Sequence, residues 1–206
     1  MINSLERFLK SKAGNTRGFG LLEPILAKQR AHMANTLIPD HLREGRILDI
    51  GCGSFPYFLS HTYFEEKFAI DQQTKPESVS QINWFPLNLN QDPHLPFEDQ
   101  YFSAITMLAV VEHLNPTSLV SLFRDIYRTL QPEGRLIITT PAAWSDGLLR
   151  LFAKIRLVSP EEIDEHVFVY TLPLLGWYFG KAGFEMGKTD FGYFEAHLNL
   201  WATATR

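Results

Sequence analysis

The sequence predicts an α/β fold: a mostly parallel sheet covered by helices on both faces, closed by an antiparallel C-terminal hairpin. Three observations lead there. Short apolar runs at Arg46–Ile50, 67–71 and 102–110 read as strands buried on both faces. Between them stand segments of helical period, above all Leu119, Leu122, Phe123, Ile126, Tyr127 and Leu130. Strand and helix then alternate along the chain, which implies crossover connections onto a parallel sheet.

In chain order, residues 21–37 form the first predicted helix. Leu21, Leu22, Ile25, Leu26, Met33 and Leu37 keep helical spacing, with a break at Gln29, and Pro39 ends the pattern. Ahead of it, residues 13–20 hold Gly14, Gly18 and Gly20 without a period, the pattern of a lid or a frayed terminus. Arg46–Ile50 is the first strand; it stops at Gly51-Cys52-Gly53, and Tyr57, Phe58 and Leu59 open a helix. A second strand follows at 67–71, a weaker third at 82–87 and a fully apolar fourth at 102–110. Asn115-Pro116 supplies a capping residue and a first-turn proline to the clearest helix of the chain. Pro132-Glu133-Gly134 turns into a fifth strand, 135–140, which Pro141 closes. Residues 142–170 read as an insertion, with a helix through Leu148, Leu151, Phe152, Ile155 and Val158 and a capping box at Ser159-Pro160-Glu161-Glu162. The last long helix spans 171–182 and ends at Gly183, with Phe184 placed to pack back. Segments 185–195 and 198–205 complete the hairpin.

Composition narrows the class. A chain of 206 residues that is 45% hydrophobic buries a sizeable core within one domain, 1–206, in which residues 1–45 form an N-terminal helical cap. No apolar run reaches the roughly eighteen residues of a membrane span, and Glu6, Arg7 and Lys10 interrupt the start, so membrane insertion and a cleaved signal are not expected. The one cysteine, Cys52, excludes an internal disulfide and fits a reducing cytoplasm. Net charge is −4; residues 1–46 are mildly basic, but their Lys and Arg are dispersed rather than packed into a nucleic-acid footprint, so nucleic acid is not an expected partner. Oligomeric state is not encoded in any pattern of the sequence.

The chemistry lies in Ile47-Leu48-Asp49-Ile50-Gly51-Cys52-Gly53-Ser54 together with Asp71, which ends the next strand about twenty positions on, where a carboxylate can accept from both hydroxyls of an adenosine ribose. Read singly, the glycines are an ordinary tight turn and Asp71 a helix cap. Read with Leu95-Pro96-Phe97-Glu98-Asp99, Val111-Glu112-His113-Leu114, Leu130-Gln131-Pro132-Glu133-Gly134-Arg135-Leu136 and Ala182-Gly183-Phe184, in that order, the chain from Arg30 onward resembles the class I S-adenosylmethionine-dependent methyltransferases, with a likeness to quinone-pathway and related small-molecule enzymes.

The resemblance implies a Rossmann-like three-layer sandwich with a seven-stranded sheet, S-adenosylmethionine as cofactor, and a small-molecule methyl acceptor, with the 142–170 insertion near the acceptor site. It places Asp49, Gly51, Cys52, Gly53, Asp71, Gln72, Asn88, Leu89 and Leu108 around the cofactor, with Arg30 against its carboxylate; a solvated helix charge is the plainer reading of Arg30. Asn88 stands where many relatives carry an aspartate near adenine, and Asn90 or Asp92 are alternatives. Phe55 and Pro56 depart from the third-glycine pattern that a dinucleotide pyrophosphate needs, which disfavours a nicotinamide-dependent oxidoreductase. Glu112, His113 and His166 are the candidate catalytic residues. Some relatives bind a divalent metal through a longer E-x-x-E-H pattern; here Ala109 replaces its first glutamate, leaving fewer ligands than a hard cation prefers, so no metal is expected.

The implied reaction is an in-line displacement at a sulfonium methyl, with a base where the acceptor is a hydroxyl, an amine or carbon acceptor being the lesser expectation. Phe19, Tyr57 and Trp144 can offer π faces to the sulfonium, although aromatic residues more often serve the core. Methylation of an RNA end and a cofactor-binding module without catalysis are the competing functions.

Overall fold

The computed structural model describes residues 22–73, 75, 79–145, 147 and 168–206. Helix α1 spans Glu23–Leu37, with Pro24 in its first turn. Strand β1, Arg46–Ile50, leads through the glycine turn into α2, a single helical turn at Tyr57–Ser60. Then follow β2 (Glu66–Asp71), β3 (Asn83–Pro86) and β4 (Phe102–Leu108). Helix α3 (Pro116–Thr129) runs into β5 (Leu130–Pro141), and α4 (Leu172–Ala182) precedes β6 (Thr189–Phe194) and β7 (Asn199–Thr205).

One seven-stranded sheet in the order β3-β2-β1-β4-β5-β7-β6 carries them. β1 to β5 are parallel; β7 runs antiparallel to both β5 and β6. The strands therefore end their parallel run at one edge, and the β6–β7 turn reaches that same edge because Pro141 of β5 pairs with Asn199. The chain order reverses between β1 and β4, where open parallel sheets bind ligands.

Alternation along the strands builds two cores. Leu48, Ile50, Ile105, Met107, Leu136 and Ile138 meet α3 and α4 on one face. Ile47, Ala69, Ala104 and Ile137 meet Ala31 and Ala34 of α1 and Phe58 and Leu59 of α2 on the other. Asp49 and Asp71 share strand parity with Ile47 and Ala69, so both carboxylates lie on the α1 face at the carboxyl edge.

Local chemistry explains the boundaries. Asn115 Oδ1 accepts from Thr117 N–H at 3.0 Å and caps α3, whose buried stripe is Leu119, Leu122, Phe123 and Ile126. Gly183, at φ +111°, ends α4, and the Phe184 N–H returns to Phe179 O at 3.0 Å. β4 stops two residues short of the expected 110 because Ala109 takes φ +57° and turns the chain out of the sheet. β5 begins five residues earlier than expected; the register jumps from Phe102↔Leu130 to Ala104↔Arg135, so the Pro132-Glu133-Gly134 turn is a bulge inside one strand. Only the ends of the 142–170 segment are described. They meet, as Ala142 bridges Tyr170; the expected helix at 148–158 and the capping box lie outside the described residues, as does the 13–20 segment.

Candidate functional site

The glycine turn has the geometry a cofactor cradle needs. Gly51 and Gly53 take φ +71° and +70°, the left-handed region that disfavours side chains. A Cβ on Gly51 would lie 2.5 Å from Val110 Cγ2, whereas one on Gly53 would meet nothing within 4 Å. Gly51 is thus closed by packing, and Gly53 opens its backbone to space a ligand can fill.

Asp71 is nearly buried at the end of β2, and its Oδ2 and Oδ1 accept from Gly53 N–H at 2.8 Å and Gln73 N–H at 2.9 Å. Each oxygen has used one of its two acceptor positions, which leaves one apiece for the two hydroxyls of a ribose. Gln72, the next residue, is exposed at the rim.

Asp49 lies beneath the turn, buried, with Thr106 Oγ1 donating to its Oδ1 at 2.6 Å. Burial, and secondarily the charge of Asp71, pushes its carboxyl up to about 7 against the pull of the Thr106 hydrogen bond. A cationic amino group of a bound ligand would relieve that penalty. Cys52 is half-buried, and burial beside Asp49 and Asp71 raises its thiol far above the usual range, so it stays a neutral thiol.

Beyond β3, Asn88 is half-buried with Leu89 buried beside it; Asn88 Oδ1 accepts from Asn90 N–H at 3.0 Å. Asn90 spends its amide on His113 O at 3.2 Å and Asn115 N–H at 2.8 Å, and Asp92 accepts from His94 N–H at 3.1 Å. All three side chains therefore hold the turn, and of the three only Asn88 is half-buried, Asn90 and Asp92 being exposed. Leu108, half-buried, ends β4 on the α1 face.

Glu112 and His113 occupy a short 3-10 turn, Val111–His113, just past β4. Glu112 is buried on the α3 and α4 face; its Oε2 accepts from Thr140 Oγ1 at 2.9 Å, while its Oε1 has no hydrogen-bond partner. Burial raises its carboxyl, opposed by the charges of His113 and Arg30 and by the Thr140 bond. Tyr170, whose hydroxyl is also buried without a partner, feels the Glu112 charge. The Phe168 N–H donates to Glu112 O at 3.3 Å, so the end of the 142–170 segment is tied to this turn. His113 itself is half-buried, its N–H donating to Val110 O. His166 lies outside the described residues. Among the described residues, no group of three or more His, Cys, Asp and Glu side chains is arranged to hold a metal.

Arg30 sits half-buried on α1 with Nε donating to Leu26 O at 3.4 Å; burial raises the carboxyls of both Glu112 and Glu195, and the Arg30 charge opposes that in each. The sequence did not single out Glu195, Thr106, Thr140 or Tyr170. A Thr near a strand end carries no local signal; the β1–β4 register brings Thr106 to Asp49, and the turn after β4 brings Glu112 to Thr140. Trp144 is exposed rather than core, Tyr57 is half-buried and stacks on His61, and Phe19 is outside the described residues.

A family profile described as a methyltransferase domain matches residues 25–188. Three solved structures share the fold: a SAM-dependent methyltransferase from Archaeoglobus fulgidus (TM-score 0.66, 16% identity, covering 88% of this chain and 94% of that one), one from Mesorhizobium loti (0.63, 16%, 88% and 100%) and one from Thermotoga maritima (0.64, 16%, 100% and 95%). No curated protein matches the sequence.

Proposed function

Because the chain belongs to the S-adenosylmethionine-dependent methyltransferases, we propose that it methylates a hydroxyl of a small-molecule acceptor, with His113 as the base. The observation that carries this reading is the Glu112–His113 pair at the carboxyl end of β4, the strand next to β1 and its glycine turn. A hydroxyl is a weak nucleophile until its proton is removed, and an imidazole beside a buried carboxyl is suited to that task.

Bound S-adenosylmethionine supplies an electrophilic methyl group on a sulfonium. The residues of this chain have the remaining work. The Gly51–Gly53 backbone and Asp71 hold the adenosyl amino acid, Asn88 and Leu89 border the adenine, and Gln72 closes the ribose side. Asp49 meets the amino group through its buried carboxyl, with Leu108 and Cys52 walling the site. Arg30 offers a charge to the carboxylate of the same ligand. His113 takes the acceptor proton, with Glu112 fixing the turn that presents it, and His166 is a second candidate for acid–base work. No covalent enzyme intermediate is required, so catalysis rests on alignment and on excluding water.

The test is release of S-adenosylhomocysteine across hydroxyl, amine and RNA-end acceptors, with the variant His113→Ala alongside. Turnover of a hydroxyl acceptor is expected to fall by about 10²-fold or more, with S-adenosylhomocysteine affinity unchanged. Unaltered turnover in the variant, or activity confined to amines or RNA ends, contradicts the proposal.

A further inference from the structure

We propose that the groove between α1 and the β6–β7 turn seats the methyl acceptor, and that it takes an apolar molecule which donates an uncharged hydroxyl, other than the one His113 deprotonates, to the Glu195 carboxyl group. The inference rests on the cofactor reading above, because it needs the adenosyl site next to the groove. Ile25, Met33, Tyr57, Phe194 and Glu195 are among the residues that line a cavity of about 760 Å³, within the range of small-molecule pockets. The first turns of α1, Tyr57 four residues past Gly53, and the turn after β6 all lie at the carboxyl edge of the sheet, on the face that carries Asp49 and Asp71.

Three further observations converge on this place. In the N-terminal half of α1 no described apolar side chain is fully buried: Leu26 and Ala27 are half-buried and Ile25 is 55% exposed and lines the groove, while Ala31 and Ala34 make the helix's core contact. Glu195 lines the groove with one oxygen engaged and one idle. Its Oε2 accepts from Asn199 Nδ2, and its Oε1 is buried without a hydrogen-bond partner, a costly state that a ligand donor relieves. Glu195, Ala196 and His197 also all hold left-handed φ values, +51°, +53° and +70°, which disfavour side chains. The conformation is imposed by clamps: Leu198 N–H returns to Glu195 O at 3.0 Å, and Leu198 O accepts from Ala142 N–H and from Ser145 Oγ. Strain kept at the mouth of a groove is a mark of a binding turn.

The donor is neutral because the surroundings already hold cations. Lys28 lines the groove, and the Arg30 charge reaches Glu195. A ligand ammonium would enter among like charges, whereas a hydroxyl satisfies the idle oxygen without adding one.

Dissociation constants of p-cresol, toluene and tyramine, measured by NMR titration on the full chain with S-adenosylhomocysteine present, test this. p-Cresol is expected to bind about tenfold or more tighter than toluene and tighter than tyramine, and Glu195→Met should bring the p-cresol to toluene ratio close to one. Ile25→Arg, at an exposed position that does not endanger folding, should abolish binding of both. A ratio near one in the native chain, a ratio that survives Glu195→Met, binding that survives Ile25→Arg, no binding of either probe, or tyramine binding tightest would each overturn the proposal. S-adenosylhomocysteine affinity, read separately, should be the same in Glu195→Met and the native chain; a native chain that does not bind it sinks the cofactor reading instead.

Discussion

Gly51 and Gly53 share a backbone conformation but stand in opposite surroundings, and the difference predicts different failures. Ala at 51 adds a steric conflict with Val110, 2.5 Å away, to left-handed strain; together these should cost about 3 kcal/mol and lower the melting temperature by about 6–12 °C. Ala at 53 meets no protein atom, so its cost is the strain alone, about 1–2 kcal/mol, yet its methyl enters the space proposed for the cofactor. Thermal denaturation with and without S-adenosylhomocysteine separates the two. Gly53→Ala should keep most of its melting temperature and lose the rise on ligand binding; a normal rise in that variant would remove Gly53 from the cradle. Both glycines and Asp71 were legible in the sequence because they mark adjacent strand ends at a fixed spacing. Glu195 was not. Its partners come from α1 and β7, and nothing in Glu-Ala-His announces three left-handed residues in a row, since Glu and Ala ordinarily avoid that region.

At the scale of elements, Arg128 on α3 organises the approach to β4. Its guanidinium donates to Asp125 at 2.8 and 3.0 Å, to Asp99 at 2.8 Å, and to the carbonyls of Phe97 at 2.8 Å and Leu95 at 3.1 Å. Burial alone would raise the Asp125 carboxyl, but the Arg128 and Leu95 N–H hydrogen bonds hold it below its ordinary value. Phe97 packs against Phe85 and Phe102 in the same region, so the 95–99 turn is held from both sides. Arg128→Ala should cost about 2 kcal/mol, a figure discounted for partial solvent screening, and lower the melting temperature by about 4–8 °C. A loss below 1 °C would show the network to be ornamental. The Leu95–Asp99 block was recognisable from sequence as a turn before β4, but the side chain that fastens it lies about thirty residues later. Helix α3 was legible almost to the residue because its cap, its proline and its apolar stripe are all local. α1 was legible as a helix, but not in the use of its apolar side chains: Ile25 and Met33 face the groove, and only the sheet position of β6 reveals that.

For the whole molecule, the site places buried carboxyls where folding must bear them. Asp49, pushed up to about 7, and Glu112, also raised, bind protons more tightly in the folded chain than in the unfolded one. Their contribution to stability is therefore complete below the ordinary carboxyl range near pH 4 and is lost as pH rises through the folded-state value, for Asp49 across the window from about 4 to 7. The ligand-free protein should melt at a higher temperature at pH 5.5 than at pH 8. Asn at position 49 keeps an acceptor for Thr106 and removes the ionisation, so Asp49→Asn should shrink that difference by at least about 2–4 °C. An unchanged pH dependence would show that Asp49 is not the group responsible. The fold itself followed from patterns that repeat along the chain, strand runs and helical stripes, whereas the proposed acceptor groove depends on how α1, β5 and the β6–β7 turn meet at one sheet edge.

The adenosyl site is the claim on which the rest depends, and a crystal structure with S-adenosylhomocysteine bound tests it most directly. The account predicts the ribose hydroxyls on the two Asp71 oxygens and the amino acid portion over Gly51–Gly53. A ligand bound elsewhere, or bound with its ribose away from Asp71, would contradict it.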